Sequence, residues 1–374
     1  MKFEWLIVGA GFTGSTLAER IATQLQQRVL LVDRRDHIGG NAYDYTDTNG
    51  TLVHKYGPHI FHTNSAKVWN YLSLFTEWRP YEHHVMAVVD GQTVPVPFNL
   101  NSLDRLFHDA CARKLEGMLA ADYGYGTKVP ILKLRENPNQ QVRQLADFIY
   151  QKIFYGYTLK QWELRPEDLS PSVTGRVPVS ISRDDRYFDD THQAMPQLGY
   201  TALFNKMLAH PNIEVALGTD YREVLGSIPA NRVIFTGPID QFFDYVHGPL
   251  PYRSLRFEFT SLPQEWYQEV GTVNYPNDHQ FTRITEQKHL TGQTLRTTML
   301  VKEFPVQYAP GENEPYYPIP RECNHELLAR YLGDARKLKG TVLFAGRLAD
   351  YQYYNMDQAV GHALKLFKDI CQND

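Results

Sequence analysis

The stretch Trp5-Leu6-Ile7-Val8-Gly9-Ala10-Gly11-Phe12-Thr13-Gly14 decides how the chain is read: an apolar run ends in a Gly-x-Gly-x-x-Gly turn. The run predicts a buried strand, and Leu17, Ala18, Ile21, Ala22 and Leu25 then recur at helical spacing. Gly9 suits the tight bend, Gly11 the close approach of backbone N–H groups to a pyrophosphate, and Gly14 the packing of helix on strand. Phe12 and Thr13 complete this cofactor-binding turn. Val29-Leu30-Leu31-Val32-Asp33 is a second apolar strand whose terminal acid falls roughly two dozen positions after Gly9, where a carboxylate can hold ribose hydroxyls. Arg34-Arg35 first suggests a 2′-phosphate. The second glycine pair, in His37-Ile38-Gly39-Gly40-Asn41-Ala42, instead suits backbone wrapped around a larger cofactor and favours FAD.

The chain has 374 residues, enough for two or three domains with a sizeable core. Its 38 basic and 42 acidic side chains give a formal charge of −4 without a long basic run, which argues against nucleic acid or an anionic membrane as a partner. Cys111, Cys323 and Cys371 form no paired framework and suit a reducing cytoplasm. The N-terminal apolar run is too short for a signal peptide, and no later run approaches the ~18 residues needed to span a bilayer. There are 24 tyrosines, more than a core alone asks for, and most are read as packing at domain borders with a wet hydroxyl.

Along the chain, His54, His59 and His62 lie close together, but without acid or cysteine at matching spacing they read as a loop against the cofactor and not as a metal site. Val68–Phe75 is helical in pattern, and Val85–Val96 predicts a hairpin about Asp90-Gly91. Leu103–Leu119 and Gln140–Trp162 carry helical patterns with a loop at Gly124–Pro130, so 98–165 reads as a helical insertion. Its end, from Ile153 to Trp162, is too aromatic for one stripe and fits either a base-stacking platform or a wedge against a neighbour. The loop Ser170–Pro178 holds Arg176 among small residues and reads as a lid. Strands are expected at 213–217, 233–236, 255–260, 280–285 and 294–301, the last three antiparallel, with Arg283 on a polar face. Val342–Gly346 is a further buried strand. Met356–Phe367 is a C-terminal helix whose start, with Met356 and Asp357, meets the cofactor.

Seven of these segments, in order, resemble bacterial UDP-galactopyranose mutases along essentially the whole chain. They are Gly9–Gly14, His37–Tyr43, Gly57–Thr63, Gly156–Trp162, Arg283–Lys288, Pro315–Pro318 and Phe344–Leu348. The resemblance implies an α/β fold with α+β insertions: a discontinuous Rossmann-like FAD-binding domain (1–75, 200–245, 340–374), a helical insertion domain (98–165) and an antiparallel β-sheet domain (76–97, 166–199, 246–339) with a mobile loop near 168–184. It implies a cytoplasmic homodimeric isomerase of cell-wall polysaccharide biosynthesis that interconverts UDP-galactopyranose and UDP-galactofuranose. Reduced FAD would attack the anomeric carbon through N5, giving a flavin–galactose adduct with UDP as leaving group.

Arg176 and Arg283 match the family's phosphate-binding arginines, and His62 a histidine near the flavin. Tyr187, Tyr317 and Tyr353 match diphosphate-binding tyrosines. Tyr157 matches the uracil-stacking residue and Trp162 the tryptophan near the substrate, with Phe154 and Asn355 as further substrate contacts. Gly40, Asn41, His59, Gly346 and Arg347 join the glycine turn, Asp33 and Arg34 as FAD contacts. The chain departs from the family pattern at three positions. Ile153 stands for an aromatic residue, Asn355 for an acid, and Asp33 for a longer Glu. The competing reading is an amine-oxidase-like FAD oxidoreductase, against which the arginine and tyrosine set weighs. A nucleotide-sugar binding protein with structural FAD is a third.

Overall fold

In the computed structural model, which describes residues 3–169, 177–226, 230–319, 321–338 and 340–373, the opening stretch forms strand β1 (Phe3–Val8), helix α1 (Phe12–Arg20) and strand β2 (Val29–Asp33). β1 is the middle strand of a five-stranded parallel sheet. β2 flanks it on one side and Ala230–Phe235 on the other, with Ile213–Leu217 and Val342–Phe344 at the edges. In register, Leu6 lies between Leu30 and Val233. Val29 to Val32 are all buried, as a strand covered on both faces requires.

The chain divides into two compact units. The first joins Met1–Tyr81, Asp190–Tyr252 and Tyr308–Asp374; the second joins Glu82–Asp189 and Arg253–Gln307. The first is built on the parallel sheet, with the C-terminal helix Met356–Asn373 packed on α1. The tight turn after β1 depends on missing side chains. Gly9 sits at φ +105°, and a Cβ on Gly14 would lie 1.9 Å from the Gly9 carbonyl oxygen.

Six strands of the second unit lie in the order Tyr252–Leu262, Thr298–Gln307, Arg283–Glu286, Thr272–Asn274, Val85–Val89, Gln92–Val96. All pair antiparallel except Thr272–Asn274, which runs parallel to Val85–Val89 and escaped the sequence reading because it is so short. The expected hairpin is present, with Asp90 and Gly91 both at positive φ as a two-residue turn of matching twist demands.

The Leu103–Leu119 pattern proves to be two helices, Leu100–Leu106 and Asp109–Tyr123. Phe107 is extended between them, and Asn99 and Ser102 form a capping box at the first. The loop expected at Gly124–Pro130 contains the two-residue strand Lys128–Val129, paired with Val179–Ser180. From Gln140 to Trp162 the helical run is continuous, but Tyr150–Tyr155 is a π-turn. The wider turn rotates the apolar face, which is why the aromatic residues there fit no single stripe. Ile153 consequently enters the core with Leu103, Leu119, Ile131 and Val142.

In the first unit His54 is buried, and its Nδ1 accepts the backbone N–H of His59 at 3.2 Å; Tyr200 packs edge-on against its ring and donates its hydroxyl to the His59 carbonyl. Burial lowers the His54 pKa to about 4 from an ordinary 6.5, so the folded ring stays neutral while the unfolded chain takes up a proton. Stability from this residue is therefore complete above pH 6.5 and declines as pH falls towards 4. Between pH 7 and 5 the loss is about 2 kcal/mol. Urea unfolding of wild type and His54→Asn at both pH values should show that much less pH dependence in the variant; equal slopes would contradict the buried neutral ring.

Candidate functional site

The N-terminus of α1 carries no side-chain cap and no acid in its first turn. Its first N–H groups are therefore the donors that an anion would take up. They face a cavity, within the first unit, lined by Gly9, Gly11, Phe12 and Thr13 from the turn and by Gly40 and Asn41 from the second glycine segment. Gly11 and Gly40 meet there without side chains: a Cβ on Gly40 would lie 3.0 Å from the Gly11 Cα. Gly346, at φ +103°, closes in similarly, and a Cβ there would meet Thr13. Such bare backbone on two sides fits an extended dinucleotide diphosphate, so the residues present suit FAD.

Asp33, Arg34, His59, Arg347 and Met356 also line the cavity. Two residues expected to touch the cofactor are not among those that line the cavity. Gly14 packs behind the turn, and Asp357 accepts the Thr63 hydroxyl at 2.8 Å. The Asp33 carboxylate accepts the backbone N–H of Ala10 at 2.8 Å and of Arg35 at 2.9 Å, so it holds the turn together. Arg347 donates to the Tyr354 carbonyl at 2.9 Å. The sequence reading missed Thr219, Tyr221, Thr236, Gln241 and Glu314 in the wall, because they come from loops and short helices without a motif.

The substrate-side residues divide between the units. In the first, His62 contacts Asp190 through Nδ1 at 2.8 Å, while Asn64 donates to the other Asp190 oxygen at 2.8 Å. A carboxylate accepts only, so Nδ1 of His62 is the donor in this contact. Tyr317 and Tyr353 meet edge to face at 5.1 Å, and Asn355 begins the C-terminal helix, its carbonyl accepting Ala359 N–H.

In the second unit, Arg283 and Glu303 are direct cross-strand neighbours. The Arg283 Nε and Nη2 donate to one Glu303 oxygen at 3.0 and 2.8 Å, and Glu303 is buried, so the guanidinium plane is held in one orientation. Helix Gly156–Trp162 is pinned at both ends. Gly156 allows Pro276 to approach, since a Cβ would lie 2.5 Å from its carbonyl oxygen. Lys160 donates to the Tyr275 carbonyl, and buried Arg253 to that of Gln161. This fixes half-buried Tyr157 and buried Trp162, whereas Phe154 and Tyr187 pack against the helical core. Tyr187 also donates its backbone N–H to His83. Arg176 lies outside the described residues, as does the rest of 170–176 in the expected lid. Among the described residues, no helix is long and apolar enough to cross a membrane.

A family model for UDP-galactopyranose mutase matches residues 152–353, and one for an NAD(P)-binding Rossmann-like domain matches 7–75. A probable UDP-galactopyranose mutase of Klebsiella pneumoniae is 38% identical over 369 residues, covering 96% of this chain and 92% of that protein. A dTDP-fucopyranose mutase of Escherichia coli is 35% identical, with 99% and 98% covered. The crystal structure of a reduced UDP-galactopyranose mutase superposes with a TM-score of 0.75 at 16% identity, covering all of this chain and 95% of the other, which is a likeness of fold. By sequence, over nearly its whole length, the chain belongs to the UDP-galactopyranose mutase family.

Proposed function

We propose that this enzyme interconverts UDP-galactopyranose and UDP-galactofuranose with FAD held in the glycine-walled cavity and active when reduced. The observation that carries the reading is the cavity itself, built for a dinucleotide, in a chain of this family. Reduced flavin, when bound, supplies the nucleophile for the anomeric carbon.

The chain's own task is then to hold the nucleotide and to stabilise UDP as it leaves. Arg283, already oriented by Glu303, would place its guanidinium against a diphosphate oxygen, and Arg176 would bring a second one. Tyr187, Tyr317 and Tyr353 would donate hydroxyls to the same group. Tyr157, with Phe154 and Trp162 nearby in sequence, would hold the uracil. His62, with Nδ1–H fixed on Asp190, would present Nε2 to the flavin region and tune it without shuttling an essential proton. Arg347 and the α1 N-terminus would hold the cofactor pyrophosphate. The same reading carries a cytoplasmic homodimer that supplies galactofuranose for cell-wall polysaccharide.

The Escherichia coli relative's name favours one second reading, a dTDP-fucopyranose mutase. Stacking cannot separate uracil from thymine. Parallel assays with both furanose nucleotides decide between them, and faster turnover of the dTDP-fucose pair would replace the UDP-galactose assignment.

The first test is anaerobic conversion of UDP-galactofuranose by the purified flavoprotein, with and without dithionite. Conversion only after reduction, without stoichiometric loss of reductant, is expected. A reducible flavin with no conversion of either nucleotide sugar would return the chain to the oxidoreductase reading. Arg283→Ala should lower kcat/KM by about 10²- to 10³-fold with the flavin spectrum intact. Arg176→Ala should abolish turnover with FAD still bound, and retained activity would remove it from the diphosphate.

A further inference from the structure

An acid followed by two arginines at the end of β2 is the arrangement that, in a dinucleotide fold, accommodates a 2′-phosphate on the adenosine ribose. Here both guanidiniums are already engaged by one carboxylate. Arg34 Nη2 donates to the two oxygens of Glu314 at 2.6 and 2.7 Å, and Arg35 Nη2 donates to one of them at 2.9 Å. Arg35 is held further by Asn41 at 3.0 Å and lies 4.4 Å above the Tyr56 ring. Glu314 reaches this place from 280 residues away in sequence, and it lines the cavity beside Asp33, Arg34 and Arg35.

We propose that Glu314 sets the selectivity of the cavity, neutralising Arg34 and Arg35 so that a plain adenosine ribose is accepted and a 2′-phosphorylated one refused. The inference rests on reading the cavity as the flavin dinucleotide site. Glu314 supplies the negative charge that lies directly against both guanidiniums. Arg34, Arg35 and Lys55, the last over the Tyr43 and Tyr56 rings, face Asp33, Asp36 and Glu314, while Asp220 also lines the wall. A phosphate dianion would have to displace Glu314 from two guanidiniums and then sit beside the remaining acids. Specificity here comes from a repulsive group, without any added contact to the favoured ligand. Burial alone would favour the neutral acid, but the two arginines prevail and hold the Glu314 carboxyl below its ordinary range, so it stays charged near neutral pH. The geometry also explains why the doubled arginine misleads when read from sequence.

The test uses the purified full-length flavoprotein. ADP-ribose and 2′-phospho-ADP-ribose each compete with bound FAD, and recovery of free-flavin fluorescence gives the concentration at which each displaces it. In the wild type, ADP-ribose should act at a concentration lower by roughly tenfold or more, and Glu314→Gln should narrow that ratio by roughly tenfold. The double variant Glu314→Gln/Arg34→Gln, which restores the local charge, should return the ratio towards the wild-type value. An unchanged ratio in Glu314→Gln, or a double variant that behaves like the single one, overturns the role of Glu314. A chain that purifies without flavin, or whose flavin neither ligand displaces, overturns the cavity assignment instead, and the inference with it.

Discussion

The structure depends on backbone meeting backbone with no side chain between. At the turn after β1, Gly14 lies against the Gly9 carbonyl, and Gly11 lies against Gly40. The first contact brings α1 down onto the sheet, and the second narrows the cavity until peptide N–H groups line it. A methyl group on Gly14 would collide with main-chain atoms, which cannot rotate aside as a side chain can, and one on Gly40 would press on the Gly11 Cα. Fold and cofactor cradle are therefore one constraint: the packing that closes the sheet is also what leaves helix donors facing the cavity.

A second theme is the cation held in advance. Arg283 is oriented by buried Glu303, Arg253 by Glu163 and the Gln161 carbonyl, and Arg34 with Arg35 by Glu314. Long flexible side chains lose much entropy when they bind, and a partner that fixes the guanidinium beforehand reduces that cost at the moment of binding. The pairs differ in number: Glu303 orients one guanidinium, whereas Glu314 engages two arginines at once.

The parallel sheet was legible because its strands are continuously apolar and because glycines at fixed spacing have few other uses. The hairpin at Asp90-Gly91 was legible for a similar reason, since both turn residues adopt positive φ. Less was readable where the cause is tertiary. Thr272–Asn274 is too short to show a period, and the break at Phe107 lies inside an unbroken helical pattern. The π-turn at Tyr150–Tyr155 shifts the helix face without leaving a simple mark. In the cavity, the glycines, Asp33 and Arg347 could be found by motif, but Glu314 could not, because its meaning comes from a contact across most of the chain. Asp190 was likewise hidden until His62 was seen to rest on it.

The first unit is assembled from three separated segments, the last of which contributes the edge strand Val342–Phe344, the cavity residues Gly346 and Met356, and the helix packed on α1. This places a limit on the order of events during synthesis. The N-terminal βαβ unit comes first, with its glycine turn formed of local residues, yet part of the cavity wall, Gly346, Arg347 and Met356, comes far later in the chain. A nascent chain lacking them has half a cradle and an uncovered sheet edge. A chain that stops upstream of Val342 lacks that edge strand, the Gly346 and Met356 side of the cavity and the helix packed on α1.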